Sequence, residues 1–76
     1  MITSREPVDT DVEIKALTGK TSDGSEWDII LYRSEDREIW YQLPIGNDPA
    51  CISLFGPFGR QREAIKEAKS HLKGML

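Results

Sequence analysis

The chain is poor in the side chains from which most catalytic and metal sites are built. It has one cysteine, Cys51, and one histidine, His71, which excludes an internal disulfide and a thiolate or imidazole metal cluster. Nucleophilic catalysis needs a serine, cysteine or lysine beside a positioned base. His71 stands on a helical stretch with no nucleophile signature around it. Cys51 lies in a strand-like stretch, where a lone thiol behaves as a small buried hydrophobe. Glycine-rich nucleotide loops are also missing, since Pro44-Ile45-Gly46-Asn47-Asp48-Pro49 offers one glycine and no Lys-Ser/Thr sequel. Asp23, Ser25 and Asp28 lack the full oxygen series and distal glutamate of a calcium loop. The neighbouring acids Glu35-Asp36 and Asp9/Asp11 read as solvated turn charge. No apolar run reaches the roughly 20 residues of a membrane helix, and Met1-Ile2-Thr3-Ser4-Arg5-Glu6-Pro7 has no apolar signal region. These absences lead to the expectation of a cytoplasmic, non-enzymatic protein with no catalytic residue, no metal and no cofactor.

What is present has the composition of one small folded domain. At 76 residues the chain is near the lower size limit for a self-sufficient core, which supplies about 3–5 kcal/mol at such lengths. Hydrophobic residues make up 38% and charged residues 30%, values that argue against disorder. The net charge of −3 is unevenly placed. From Arg60 onward five basic residues face two acidic ones, whereas residues 1–59 carry eleven acids and five bases.

Residues 1–10 mix Thr3, Ser4, Pro7, Asp9 and Thr10 with scattered charge and read as a flexible leader to a single domain over 11–76. From Asp11 to Leu17 the residues alternate, with Val12, Ile14 and Ala16 opposite Asp11, Glu13 and Lys15, as in an edge strand with one face in water. Thr18 to Ser25 supplies two glycines among hydroxyl and Asp side chains, the chemistry of a turn. Glu26–Arg33 and Glu38–Leu43 are rich in β-branched and aromatic residues and predict a hairpin. Its connection, Ser34-Glu35-Asp36-Arg37, lacks glycine and asparagine, which favours a four-residue loop around a type I turn. That even loop would pair Arg33 with Glu38, placing Ile30, Tyr32, Ile39, Tyr41 and Leu43 on one face and Trp27, Ile29, Leu31 and Trp40 on the other. An odd loop would exchange partners across the faces.

Ala50–Phe55 alternates as a last strand, which Gly56-Pro57 should end because proline cannot donate to a ladder. Beyond it Ala64, Ile65, Ala68, Leu72 and Met75 recur at helical spacing. Glu63 in the first turn and Lys69, His71 and Lys73 in the last suit the helix dipole, and Gly74 sits where a C′ glycine would stop the helix. The fold class is therefore α+β: a three- to four-stranded antiparallel meander sheet with one C-terminal helix packed on one face, a ββββα domain.

One helix cannot cover both sides of such a sheet. About 14 helical residues make a rod roughly 21 Å long and about 10 Å wide, against a width of roughly 19 Å for four strands. The central hairpin is nevertheless apolar on both sides. The uncovered face is accordingly expected to meet a protein partner or a second copy of the chain. Trp27, Tyr32, Trp40 and Tyr41 are the expected anchors, and Glu35, Asp36 and Glu38 the steering charges. This describes a small interaction domain, of the kind a phage or mobile element uses as an accessory or inhibitor of a host protein, with no role at a membrane.

Gly56-Pro57-Phe58 followed by Glu63-Ala64 and Ala68 resembles the strand-to-helix tail of three-stranded-sheet-plus-helix modules. The arm-type and AP2-like DNA-binding domains of tyrosine recombinases are one such group, alongside small phage and bacterial domains. The resemblance spans residues 26–76 and implies the fold together with an alternative function, nucleic-acid binding. In that group the sheet enters the major groove with basic and polar residues. Here the same surface would carry Asp28, Glu35, Asp36 and Glu38 against Arg33 and Arg37. Under this alternative the contacts are Arg33 and Arg37 with Arg60, Arg62, Lys66, Lys69 and Lys73 from the helix region.

Overall fold

The computed structural model describes residues 2–43 and 53–74. Over these the chain runs β1 (Thr3–Arg5), β2 (Val12–Lys20), β3 (Glu26–Arg33), β4 (Ile39–Gln42), β5 (Leu54–Phe58) and α1 (Gln61–Lys73). The strands form one antiparallel sheet in the order β1-β5-β4-β3-β2, so the class is α+β. No described helix is long and apolar enough to cross a membrane.

The β2–β3 turn is closed by Thr21 N–H donating to Ser25 O at 2.9 Å and Gly24 N–H to Thr21 O at 3.1 Å. Gly24 has φ 89°, a left-handed conformation that glycine adopts without steric cost. The Asp23 carboxylate accepts the Ser25 N–H at 2.9 Å and the Thr21 hydroxyl, which holds its pKa below the ordinary value. β2 continues through Thr18-Gly19-Lys20, further than its alternation suggests. Gly19 permits this, because a Cβ there would lie 2.8 Å from Leu72 Cδ1 and 2.9 Å from Ile29 Cδ1. The backbone of β2 thus forms part of the seat for the end of α1.

The β3–β4 connection is odd, not even. Arg37 N–H donates to Ser34 O at 2.9 Å, closing a turn, and Ser34 N–H donates to Glu38 O at 2.9 Å. Arg37 itself is left-handed, with φ 66°. This is the three-residue loop in which a turn is followed by one left-handed residue, and it pairs Arg33 with Ile39 instead of Glu38. Ile29, Leu31, Ile39 and Tyr41 therefore share the helix side, while Ile30, Tyr32, Trp40 and Gln42 share the other.

Two further expectations are corrected. Gly56-Pro57 does not end the last strand: β5 runs on to Phe58, and the register slips by one residue between Tyr41↔Phe55 and Ile39↔Phe58. That bulge sets two residues against Trp40 and accommodates a proline in the ladder. The supposed leader also contains β1, paired as Thr3↔Gly56, Ser4↔Phe55 and Arg5↔Leu54. The sheet consequently has five strands instead of three or four. Thr3 Oγ1 donates to Gly56 O at 3.1 Å, a bond across the sheet that no local pattern encodes.

α1 buries Ala64, Ala68 and Leu72 against Ile29, Leu31, Ile39 and Tyr41. Two alanines on its inner side let it approach the sheet closely. Gly74 caps the helix in a right-handed conformation (φ −84°) instead of the left-handed C′ geometry. The turn at 44–49, the 50–52 start of the expected last strand, and Met75 lie outside the described residues.

Candidate functional site

The side of the sheet turned away from α1 carries the features not consumed by the core. Trp40 lies on this face and is 7% exposed. A Cβ on Gly56 would come within 3.0 Å of both Trp40 Cδ2 and Cε3 and 2.9 Å from Ile39 O. The indole thus packs directly against strand backbone. The Arg5 guanidinium stands 4.3 Å from the ring centroid, a cation–π contact.

Arg5 is held there by Asp11. Its two terminal nitrogens donate to the Asp11 carboxylate at 2.8 and 2.7 Å, a bidentate pair, and Val8 N–H donates to the same carboxylate at 2.8 Å. The Asp11 side chain is 2% exposed and that of Arg5 29%. The hydrogen bonds from Arg5 keep the Asp11 pKa below its ordinary value, and the bonds to Asp11 raise that of Arg5. Residues of the first eleven positions therefore clamp a cover onto Trp40.

Beside this clamp lies a hollow of about 230 Å³ between the β1–β2 connection and the β3–β4 turn. Arg5, Asp11 and Trp40 contribute to it from one side, and Glu35, Asp36 and Glu38 from the other. Arg5 cancels Asp11, so the remaining lining charge is acidic. The buried Nε1–H of Trp40 has no hydrogen-bond partner among the described residues. Such a group costs about 1–3 kcal/mol when left unmade.

Next to the hollow, Tyr32 is half-buried and donates its hydroxyl to Gln42 Oε1 at 3.2 Å. Partial burial raises its pKa, and the charges of Glu13 and Asp11 add to the effect. Half-buried Ile30 and exposed Ala16, paired across β2–β3, continue the apolar strip, with Glu13 opposite Tyr32 and Asp28 further along β3.

The expected site residues divide between the two faces. Tyr32, Trp40, Glu35, Asp36 and Glu38 fall together around the hollow or beside it. Tyr41 and Trp27 do not join them. Tyr41 is 2% exposed on the helix side, stacked on Phe55 at 5.3 Å, with its hydroxyl 3.0 Å from His71 Nδ1. Burial pushes its pKa up to about 12, with a further contribution from Glu67. Trp27 is half-buried against the same core. The Tyr41 correction follows from the loop parity, which puts Ile39 and Tyr41 on the same side as Ile29 and Leu31; Trp27 alternates with Ile29 and Leu31 in either register, and that side is the one α1 covers.

Arg33, Arg37, Arg60, Arg62, Lys66, Lys69 and Lys73 are all exposed, and none pairs with an acid among the described residues. Arg5 and Asp11 were not legible as site residues, because five intervening positions and a polar leader gave them no shared pattern. Comparison with protein-family models, with curated proteins and with solved structures finds no match.

Proposed function

We propose that this is a protein-interaction domain that meets its partner through the acidic part of the face turned away from α1. The observation that carries the reading is the half-exposed Tyr32–Ile30 strip set among Glu13, Asp28, Glu35, Asp36 and Glu38. An apolar centre with a charged rim is the usual anatomy of a transient interface. The acidic rim suits a basic protein surface, as expected of an accessory or inhibitor protein acting on a host component. In this reading Tyr32 is the exposed anchor, Trp40 is the floor beneath the clamp, and Trp27 and Tyr41 serve the core.

The test is capture of partners by immobilised protein. Tyr32→Ala should weaken capture by ~2 kcal/mol, the scale of an aromatic hot spot, and Glu35→Gln/Asp36→Asn/Glu38→Gln should slow association. Lys66→Gln/Lys69→Gln on α1 should leave capture unchanged. Capture indifferent to both sheet variants would end this reading. Sedimentation of the purified protein identifies the self-association case: a dimer that Tyr32→Ala dissociates makes the partner a second copy.

The exposed, unpaired basic residues of α1, with Arg60 before it and Arg33 and Arg37 at the hairpin end, favour nucleic-acid binding as a second reading. It requires a mobility shift at ~50 mM salt that fades steeply as salt rises.

A further inference from the structure

We infer that the hollow beside Trp40 is a receptor for one basic side chain, an arginine or lysine, presented by the partner's main chain. The inference rests on the interaction reading above and names the chemistry of its central contact. A volume of about 230 Å³ is below the ~300–1,000 Å³ of pockets that take cofactors or drug-sized ligands, and fits a single side chain. Glu35, Asp36 and Glu38 line it with carboxylates that form no ion pair among the described residues; Arg5 is bound to Asp11 and also feels the Glu38 charge at longer range.

The second observation is independent of that charge. Trp40 lines the same hollow, is 7% exposed, and holds a buried Nε1–H with no acceptor among the described residues. An indole N–H donates and cannot accept, so what satisfies it must bring an oxygen. A basic residue in a peptide brings both groups: a cation for the carboxylates and a flanking main-chain carbonyl for the indole. Arg5 already shows that this corner accepts a guanidinium, with its cation–π contact to Trp40.

The probe is N-acetyl-arginine amide, added to the ¹⁵N-labelled full chain while the two indole N–H signals are followed. The Trp40 indole should move saturably together with the amides of Glu35, Asp36 and Glu38, and the Trp27 indole should stay still. N-acetyl-norleucine amide, which has the carbonyls without the cation, should give no saturable shift. Asp36→Asn/Glu38→Gln, at surface positions that leave the core intact, should weaken probe binding roughly tenfold, about 1.4 kcal/mol. A still Trp40 indole, equal shifts from the uncharged amide, or undiminished binding by the double variant would each overturn the inference. Because the probe needs no partner, its failure with intact, sheet-dependent capture sinks the receptor alone. Probe binding with capture indifferent to the sheet variants sinks the interaction reading alone.

Discussion

Gly56 and Trp40 show how one missing side chain arranges a whole face. The indole can pack against β5 because Gly56 has no Cβ: the atom would meet Ile39 O at 2.9 Å and two ring carbons at 3.0 Å. Gly56→Ala should therefore destabilise the fold by about 1–3 kcal/mol, the cost of overpacking. Gly19→Ala should cost less, since there the close atoms are the mobile methyl ends of Leu72 and Ile29. Denaturant midpoints of the two variants give the comparison, and a Gly56→Ala midpoint at or above that of Gly19→Ala would contradict this packing. The Asp11–Arg5 clamp makes a pH prediction. The Asp11 pKa is lowered in the folded chain from 3.8, first by its hydrogen bonds from Arg5. The clamp's contribution is thus present above the unfolded value and lost as pH falls through the folded one. Asp11→Asn should be less stable than the wild type at neutral pH, and its melting temperature should fall less steeply below about pH 4.

At the scale of elements, how much could be read from the chain depended on the range of the interactions. α1 was legible because its inward residues Ala64, Ala68 and Leu72 recur at helical spacing, a local property. Strands β3 and β4 were legible from their aromatic and β-branched content. Their relative register was not, because it turns on a single arginine, Arg37, adopting φ 66° without the glycine or asparagine that announces such a position. One residue of loop length then put Tyr41 on the side of Ile29, Leu31 and Trp27, the side that α1 covers. β1 was illegible for a different reason. Thr3-Ser4-Arg5 has no hydrophobic alternation, and its partners Gly56, Phe55 and Leu54 lie some fifty positions away. What the sequence did show of the site was its acids, Tyr32 and Trp40; the clamp over Trp40 depends on contacts with β1 in place. The helix–sheet interface carries its own prediction. Leu72 is fully buried between β2 and β3, so Leu72→Ala should cost about 2–5 kcal/mol, read as a lowered denaturant midpoint.

The whole molecule is finished differently on its two sides. On one, α1 covers the sheet and turns Arg62, Lys66, Lys69 and Lys73 outward. On the other, the chain closes only part of the surface: Trp40 under Arg5, with Leu54 and Gln42 also buried. The remainder is a half-exposed Tyr32 and Ile30 among carboxylates. A domain polarised in this way orients an approaching charged partner before contact, and the orientation weakens with salt. The most direct measurement is amide chemical-shift mapping of the labelled domain as captured partner, or an excess of the chain itself, is added. Perturbations should concentrate on 28–40 and on the Arg5–Asp11 segment and spare the outer side of α1. Perturbations confined to Arg60–Lys73, with Tyr32 and the β3–β4 turn unmoved, would contradict the account.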